Sequence, residues 1–125
     1  MGMFQVRVTV SHPLDEKRCF TEAFWVDCGA YHTFVPENRL TAIGVEPVRT
    51  REFTLADGRT ERRLIGEARL QIEALGETAT CQVVFGPPGS LFLLGASALE
   101  AFTVGIDPLA QRLTPITVVI AMSGH

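Results

Sequence analysis

Val6, Val8 and Val10 alternate with Gln5, Arg7 and Thr9, the period of two expected of a strand with one buried face. His12-Pro13-Leu14-Asp15 interrupts the alternation and predicts a hairpin whose return runs over Cys19 to Val26. The end of that return, Ala23-Phe24-Trp25-Val26, is apolar at consecutive positions, which predicts cover on both faces and a strand that delivers Asp27 from the core. Between Pro36 and Gly44, proline stands at a possible first helical position, Leu40 and Ile43 are three apart, and glycine falls where a helix would stop. One or two helical turns fit there. Glu52-Phe53-Thr54-Leu55 and the residues after Thr60 flank Asp57-Gly58, a dipeptide that tolerates positive φ in tight turns, and so predict a projecting hairpin.

Ala68, Leu70, Ile72 and Ala74 point one way and Arg69, Gln71 and Glu73 the other, before Gly76-Glu77 turns the chain into Thr80 to Phe85. Gly86-Pro87-Pro88-Gly89 forces a loop, because neither proline can donate to a sheet ladder. Leu91-Phe92-Leu93-Leu94-Gly95 reads as an internal strand. Ser97 and Glu100 stand in the relation of a capping box, with Leu99 and Phe102 at core-facing spacing, which predicts one short helix near the C-terminus. Ile106-Asp107-Pro108 and Arg112-Leu113-Thr114-Pro115 bracket a further turn, and Ile116 to Ile120 reads as a last strand. About eight or nine short strands against one helix is the tally of an all-β fold, a small barrel or sandwich.

At 125 residues the chain has the size of one domain, residues 1–125. A domain of that size buries roughly two thirds of its unfolded surface. A composition of 46% hydrophobic and 20% charged residues is that of an ordinary globular protein. The net charge of −3 and the interleaving of Arg49, Arg51, Arg59, Arg62 and Arg63 with Glu52, Asp57 and Glu61 argue for a solvated hairpin and against a nucleic-acid surface. Met1 to Val10 lacks the uninterrupted apolar run of a secretory signal, and Ile116 to Met122 is about a third of the length of a membrane-crossing helix. Neither export nor a membrane is expected. Cys19, Cys28 and Cys81 form no close pair and cannot all be bridged within one chain, which suits a reducing cytoplasm.

Asp27-Cys28-Gly29-Ala30 lies where a buried strand opens into a turn, so its carboxylate is fixed by the core yet exposed at the rim. Taken alone, Asp two residues before Gly most often caps a turn through its own side chain. Cys28 with His32 suggests a thiol-imidazole pair, but no oriented base or oxyanion site accompanies it. Three histidines and three cysteines without ligand spacing predict no metal, and Tyr31 and Trp25 read as core packing.

In order along the chain, Val26-Asp27-Cys28-Gly29-Ala30 resembles the hydrophobic-Asp-Thr/Ser-Gly-Ala signature of retropepsin-like aspartic proteases. Thr33-Phe34-Val35-Pro36 is similar to the stretch just beyond that signature in bacterial members of the clan. The Asp57-Gly58 hairpin falls where that family has its flap, and Leu93-Leu94-Gly95 with Ala96 to Phe102 resembles its second hydrophobic-hydrophobic-Gly element and its helix. The resemblance spans Val6 to Ile116. It implies a closed, mostly antiparallel acid-protease β-barrel and a homodimeric endopeptidase acting on a peptide or protein substrate, without cofactor. Asp27 would be the catalytic residue, Cys28, Gly29 and Ala30 the active-site loop, and Leu55, Ala56, Asp57, Gly58 and Arg59 the substrate-covering flap. The chain departs from the family at Cys28, where a hydroxyl usually braces the two loops of the dimer and a thiol is a weaker donor. Cys28 is then either a redox-sensitive thiol or a small space-filling residue, and a dimeric peptide-binding module without turnover is the alternative to an active protease.

Overall fold

A computed structural model describes residues 3–117. The chain opens with two long antiparallel strands, β1 (Phe4–His12) and β2 (Asp15–Val26), joined by a turn at Pro13-Leu14. The alternation read from sequence holds: Val8 and Val10 are fully buried, Gln5 and Arg7 exposed. On β2 the core takes Phe24 and Val26, while Ala23 and Trp25 on the other face are half-buried, so cover on that face is partial.

A short strand β3 (Phe34–Pro36) leads directly into helix α1 (Glu37–Ala42). Pro36 is the residue before the helix rather than its first position, with extended ψ of 133°. Gly44 comes after the last turn at φ +80°, the left-handed conformation that ends helices at glycine. Strands β4 (Pro47–Thr54) and β5 (Thr60–Ile72) form the expected hairpin around Asp57-Gly58, with Gly58 at φ +86°. Every residue of β4 except Phe53 is exposed, and its charges pair across the hairpin, as between Arg62 and Glu52. Arg63 is the tethered exception: it donates to Phe85 O at 2.9 Å, pairs with Glu61 at 2.9 Å and lies 3.5 Å from Glu37 of α1.

After a turn at Gly76, β6 (Glu77–Gly86) lies antiparallel to β5. Ala68, Leu70 and Ile72 are buried as expected, but Ala74 falls in the turn and is exposed, because β5 ends at Ile72. Then come β7 (Leu93–Leu94), helix α2 (Ala96–Phe102), and a small separate hairpin of β8 (Val104–Asp107) and β9 (Arg112–Pro115). The expected strand over Leu91 to Gly95 is thus cut to two residues, since the Pro-rich loop before it keeps its flank out of the ladder. Among the described residues there are two short helices rather than one. The expected strand over Ile116 to Ile120 lies largely outside the described residues.

Strands pair in the order β1-β2-β7-β3-β6-β5-β4, and β1 pairs again with β5 through Val8 to Ser11. The long ladders are antiparallel, whereas β2–β7 and β3–β6 are parallel. At β7 the ladder thins to two pairs with β2 and one with β3, within one curled mixed sheet. Its concave side holds Val8, Val10, Phe24, Val35, Leu70, Val83 and Leu94, with Leu40 of α1 and Leu99 and Phe102 of α2. Cys81 belongs to this core, and burial pushes its thiol up to about 11, whereas Cys19 and Cys28 are exposed. No helix among the described residues is long and apolar enough to cross a membrane.

Candidate active site

Asp27 is held by main chain on both sides. Its N–H donates to Leu94 O at 3.0 Å, extending the parallel pairing of β2 with β7 by one step past Val26. Its Oδ1 accepts the N–H of Gly29 at 2.9 Å, and its carbonyl accepts that of Ala30 at 3.2 Å. The side-chain turn is therefore formed, and it does not by itself distinguish this aspartate. Asp15, Asp57 and Asp107 cap their own turns in the same way, accepting from Lys17, Arg59 and Leu109. Asp27 differs in its surroundings: a core strand carries it in, a glycine stands beside its carboxylate, and the loop after it docks onto a helix. A β-carbon at Gly29 would lie 3.2 Å from Asp27 Oδ1, so glycine leaves the carboxylate its room.

The loop 28–33 continues across the start of α2. Ala30 O accepts the N–H of Ala96 and Tyr31 O that of Ser97, each at 2.8 Å, while Thr33 Oγ1 accepts the N–H of Gly95 at 3.1 Å. Loop carbonyls thereby satisfy the amides that a helix start leaves free. This overturns the capping box expected at Ser97 and Glu100: the residue before the helix is Gly95, no side chain caps it, and Ser97 is already inside. Gly95 is required for a steric reason. Its backbone passes so near the loop that a β-carbon would overlap the carbonyl of His32 and crowd that of Tyr31.

Beside Asp27 lies a cavity of about 280 Å³ lined by Met3, Phe4, Val26, Asp27, Cys28, Gly29, Ile106 and Pro108. It brings the start of β1 and the β8–β9 hairpin together around the carboxylate, a grouping that no local pattern announced. Cys28 faces this cavity, while the His32 ring lies edge-on between Tyr31 and Phe53 at centroid distances of 5.1 and 5.0 Å. No hydrogen bond joins Cys28 to His32 among the described residues, so the thiol-imidazole pair is not assembled. Tyr31 is 58% exposed and is not core, contrary to expectation. Phe53 also meets Phe34 at 6.0 Å, so aromatic contacts run from the Asp27 loop to the β4–β5 hairpin one pair short of its turn. The hairpin tip itself, Leu55 to Arg59, lies outside the cavity. Leu55 N–H donates to Arg59 O and Asp57 pairs with Arg59 at 2.6 Å, which shapes the tip without tying it to Asp27. Among the described residues no three His, Cys, Asp or Glu side chains gather as a metal site would require.

This geometry has two measurable consequences. Gly95→Ala should destabilise the fold by roughly 3 kcal/mol, because the loop and helix backbones must part to admit a methyl group. Equilibrium urea unfolding measures it, with Gly89→Ala in the open loop as the milder comparison. Burial, and secondarily Arg51, lower the pKa of His32 below its ordinary value. Folding thus favours the neutral ring, so stability from His32 is intact above the unfolded value near 6.5 and falls as pH drops below it. Melting curves between neutral pH and pH about 5 should show this slope, and His32→Phe should flatten it.

No family model matches the chain, and no curated protein matches it in sequence. Solved structures do. The solution structure of the simian foamy virus (mac) protease aligns at a TM-score of 0.56 and 18% identity, over 78% of this chain and 92% of that one. The foamy viral protease-reverse transcriptase, determined in complex with an RNA/DNA hybrid, aligns at 0.55 and 13% identity over 95% of this chain and 13% of that one. At these identities the likeness is one of fold, and the fold this chain shares with the foamy virus proteases is the retropepsin-like β fold.

Proposed function

We propose that the protein is a homodimeric aspartic endopeptidase in which Asp27 of two copies meets on a two-fold axis within an acid-protease barrel. The observation that carries this reading is the setting of Asp27 on the shared fold: a carboxylate at the end of a core strand, tied through Leu94 and Gly29, at the rim of a cavity. Amide hydrolysis by this route needs two carboxylates. The ionised one takes a proton from water, whose oxygen attacks the scissile carbonyl carbon, while the protonated one donates to the carbonyl oxygen. Collapse of the tetrahedral intermediate expels the amine, which leaves with a proton. Two carboxylates a few ångströms apart do not both ionise easily, so they share one proton and titrate as a pair.

One chain carries one aspartate at the end of a core strand with a glycine beside its carboxylate, because Asp15, Asp57 and Asp107 cap the turns of hairpins. A closed two-fold dimer supplies the second. The substrate would lie extended between the Asp27 loops and the hairpin tips, with Leu55 to Arg59 closing over it and Gly29 offering main-chain contacts. The aromatic contact of His32 with Phe53 supports this arrangement by linking the loop to the tip end of the hairpin. The exposed thiol of Cys28, where the family has a hydroxyl, favours a second reading in which the dimer binds peptides with little turnover.

A mixed-peptide cleavage assay with a parallel binding measurement separates the two. Asp27→Asn should lower cleavage by roughly a thousandfold while leaving peptide affinity nearly unchanged. Wild-type binding without cleavage would favour the non-catalytic module. Cys28→Ser should preserve or raise cleavage by restoring a hydroxyl donor, and its loss would point to sulfur as the nucleophile.

A further inference from the structure

The main sheet has an open side at β4. At the other end of the strand order β1 pairs a second time, with β5, whereas β4 pairs with β5 alone among the described residues. Eight residues of main chain, Pro47–Thr54, are thus left with one side unpaired. A single bond fixes which groups that side presents. Leu55 donates its N–H to Arg59 O, so Leu55, Phe53, Arg51 and Arg49 turn their main-chain polar groups toward β5, and Thr50, Glu52 and Thr54 turn theirs outward. An extended segment laid along β4 can take those outward groups as a ladder.

Side chains decide the chemistry of that segment. Arg49, Arg51 and Phe53 share one face of β4, and Phe53 turns this face toward His32 and Phe34. The hairpin's acids are already engaged, Glu52 with Arg62, Asp57 with Arg59 and Glu61 with Arg63. No ion pair reaches Arg49 or Arg51 among the described residues, and both are exposed. Arg51 also stands directly across from Arg63, whose guanidinium has Glu61 and Glu37 to itself. Like charges directly opposite weaken the pairing they sit in, and a carboxylate brought from outside relieves them.

The same charges choose among occupants. A second copy of β4 laid antiparallel about Thr50 would set Arg49 of one copy against Arg51 of the other, so the edge rejects itself. A nucleic acid can use the guanidinium groups but not the ladder, and the aromatic ring beside them, Phe53, is committed to His32 and Phe34. We propose that β4 is a docking edge for an acidic extended peptide, which adds to the sheet as a further strand and sets its carboxylates against Arg49 and Arg51. Asp27 takes no part in this contact, which is independent of whether the protein cleaves peptides.

The test uses the full chain carrying Asp27→Asn, so that no hydrolysis consumes the probe, and a short blocked fluorescent peptide alternating glutamate with valine. Fluorescence anisotropy reads binding, and amide hydrogen exchange reads its place. Expected are saturable binding that fades as salt rises, slowed exchange at Thr50, Glu52 and Thr54, and no binding of the same peptide with lysine for glutamate. Arg49→Glu combined with Arg51→Glu should lower affinity roughly tenfold or more at low salt and transfer the preference to the lysine peptide, a swap that only a folded edge can show. Thr50→Pro removes an outward N–H that the sheet itself does not use, and it should weaken binding while thermal melting shows the fold retained. Equal binding of the two peptides, affinity indifferent to the charge reversal, or unchanged exchange along β4 overturns the proposal. A single-stranded oligonucleotide that binds more tightly than the acidic peptide and is indifferent to Thr50→Pro makes β4 an anion surface and overturns strand addition. No binding at all overturns it as well and leaves the protease reading untouched.

Discussion

The contact between the loop after Asp27 and the start of α2 is made of backbone. Ala30 and Tyr31 give their carbonyls to Ala96 and Ser97, and the Thr33 hydroxyl takes the amide of Gly95. Polar main-chain groups brought inside a protein are costly unless paired, so the two segments satisfy each other or neither is stable where it is. The approach is feasible because residue 95 has no side chain. Thr33 is 1% exposed and Gly95 also buried, so water cannot replace the bond between them.

From that contact the placement of the carboxylate follows. β7 sits immediately before Gly95, and it is β7 that accepts the amide of Asp27 through Leu94. Fixing α2 on one side and β2 on the other leaves Asp27 little freedom. The β4–β5 hairpin is built on the opposite principle. Its outer strand is solvated nearly throughout, its charges pair locally, and it reaches the rigid floor through Arg63 and through Phe53 against His32 and Phe34. An outer strand with so few buried contacts opens more readily than the floor it rests on.

The thiol at Cys28 lies on the same surface as the carboxylate and the apolar rim formed by Met3, Phe4, Ile106 and Pro108. A carboxyl group, a weak hydrogen-bond donor and exposed apolar area thus lie together there.

Periodicity in the residues alone was enough to place β1, β2, β5 and β6, and turn chemistry to place the reversals at Asp57-Gly58 and Gly76. In each case the deciding residues lie within a few positions of one another. The same locality exposed Asp27 as a strand-end carboxylate beside glycine, although reading it as more than a turn cap rests on the order of features along the whole chain. Where local rules failed, a distant partner had intervened. Ser97 and Glu100 have capping-box spacing, yet loop carbonyls from residues 30 and 31 reach the helix amides first. Leu91 to Gly95 is apolar enough for a full strand, yet a proline loop on one side and the docking of Gly95 on the other leave two residues of pairing. The bond from Gly95 to Thr33 spans 62 residues, and the cavity that joins Met3 to Pro108 spans nearly the entire chain. Such contacts depend on how the sheet curls and on which backbones close to van der Waals distance, and only the folded chain decides those.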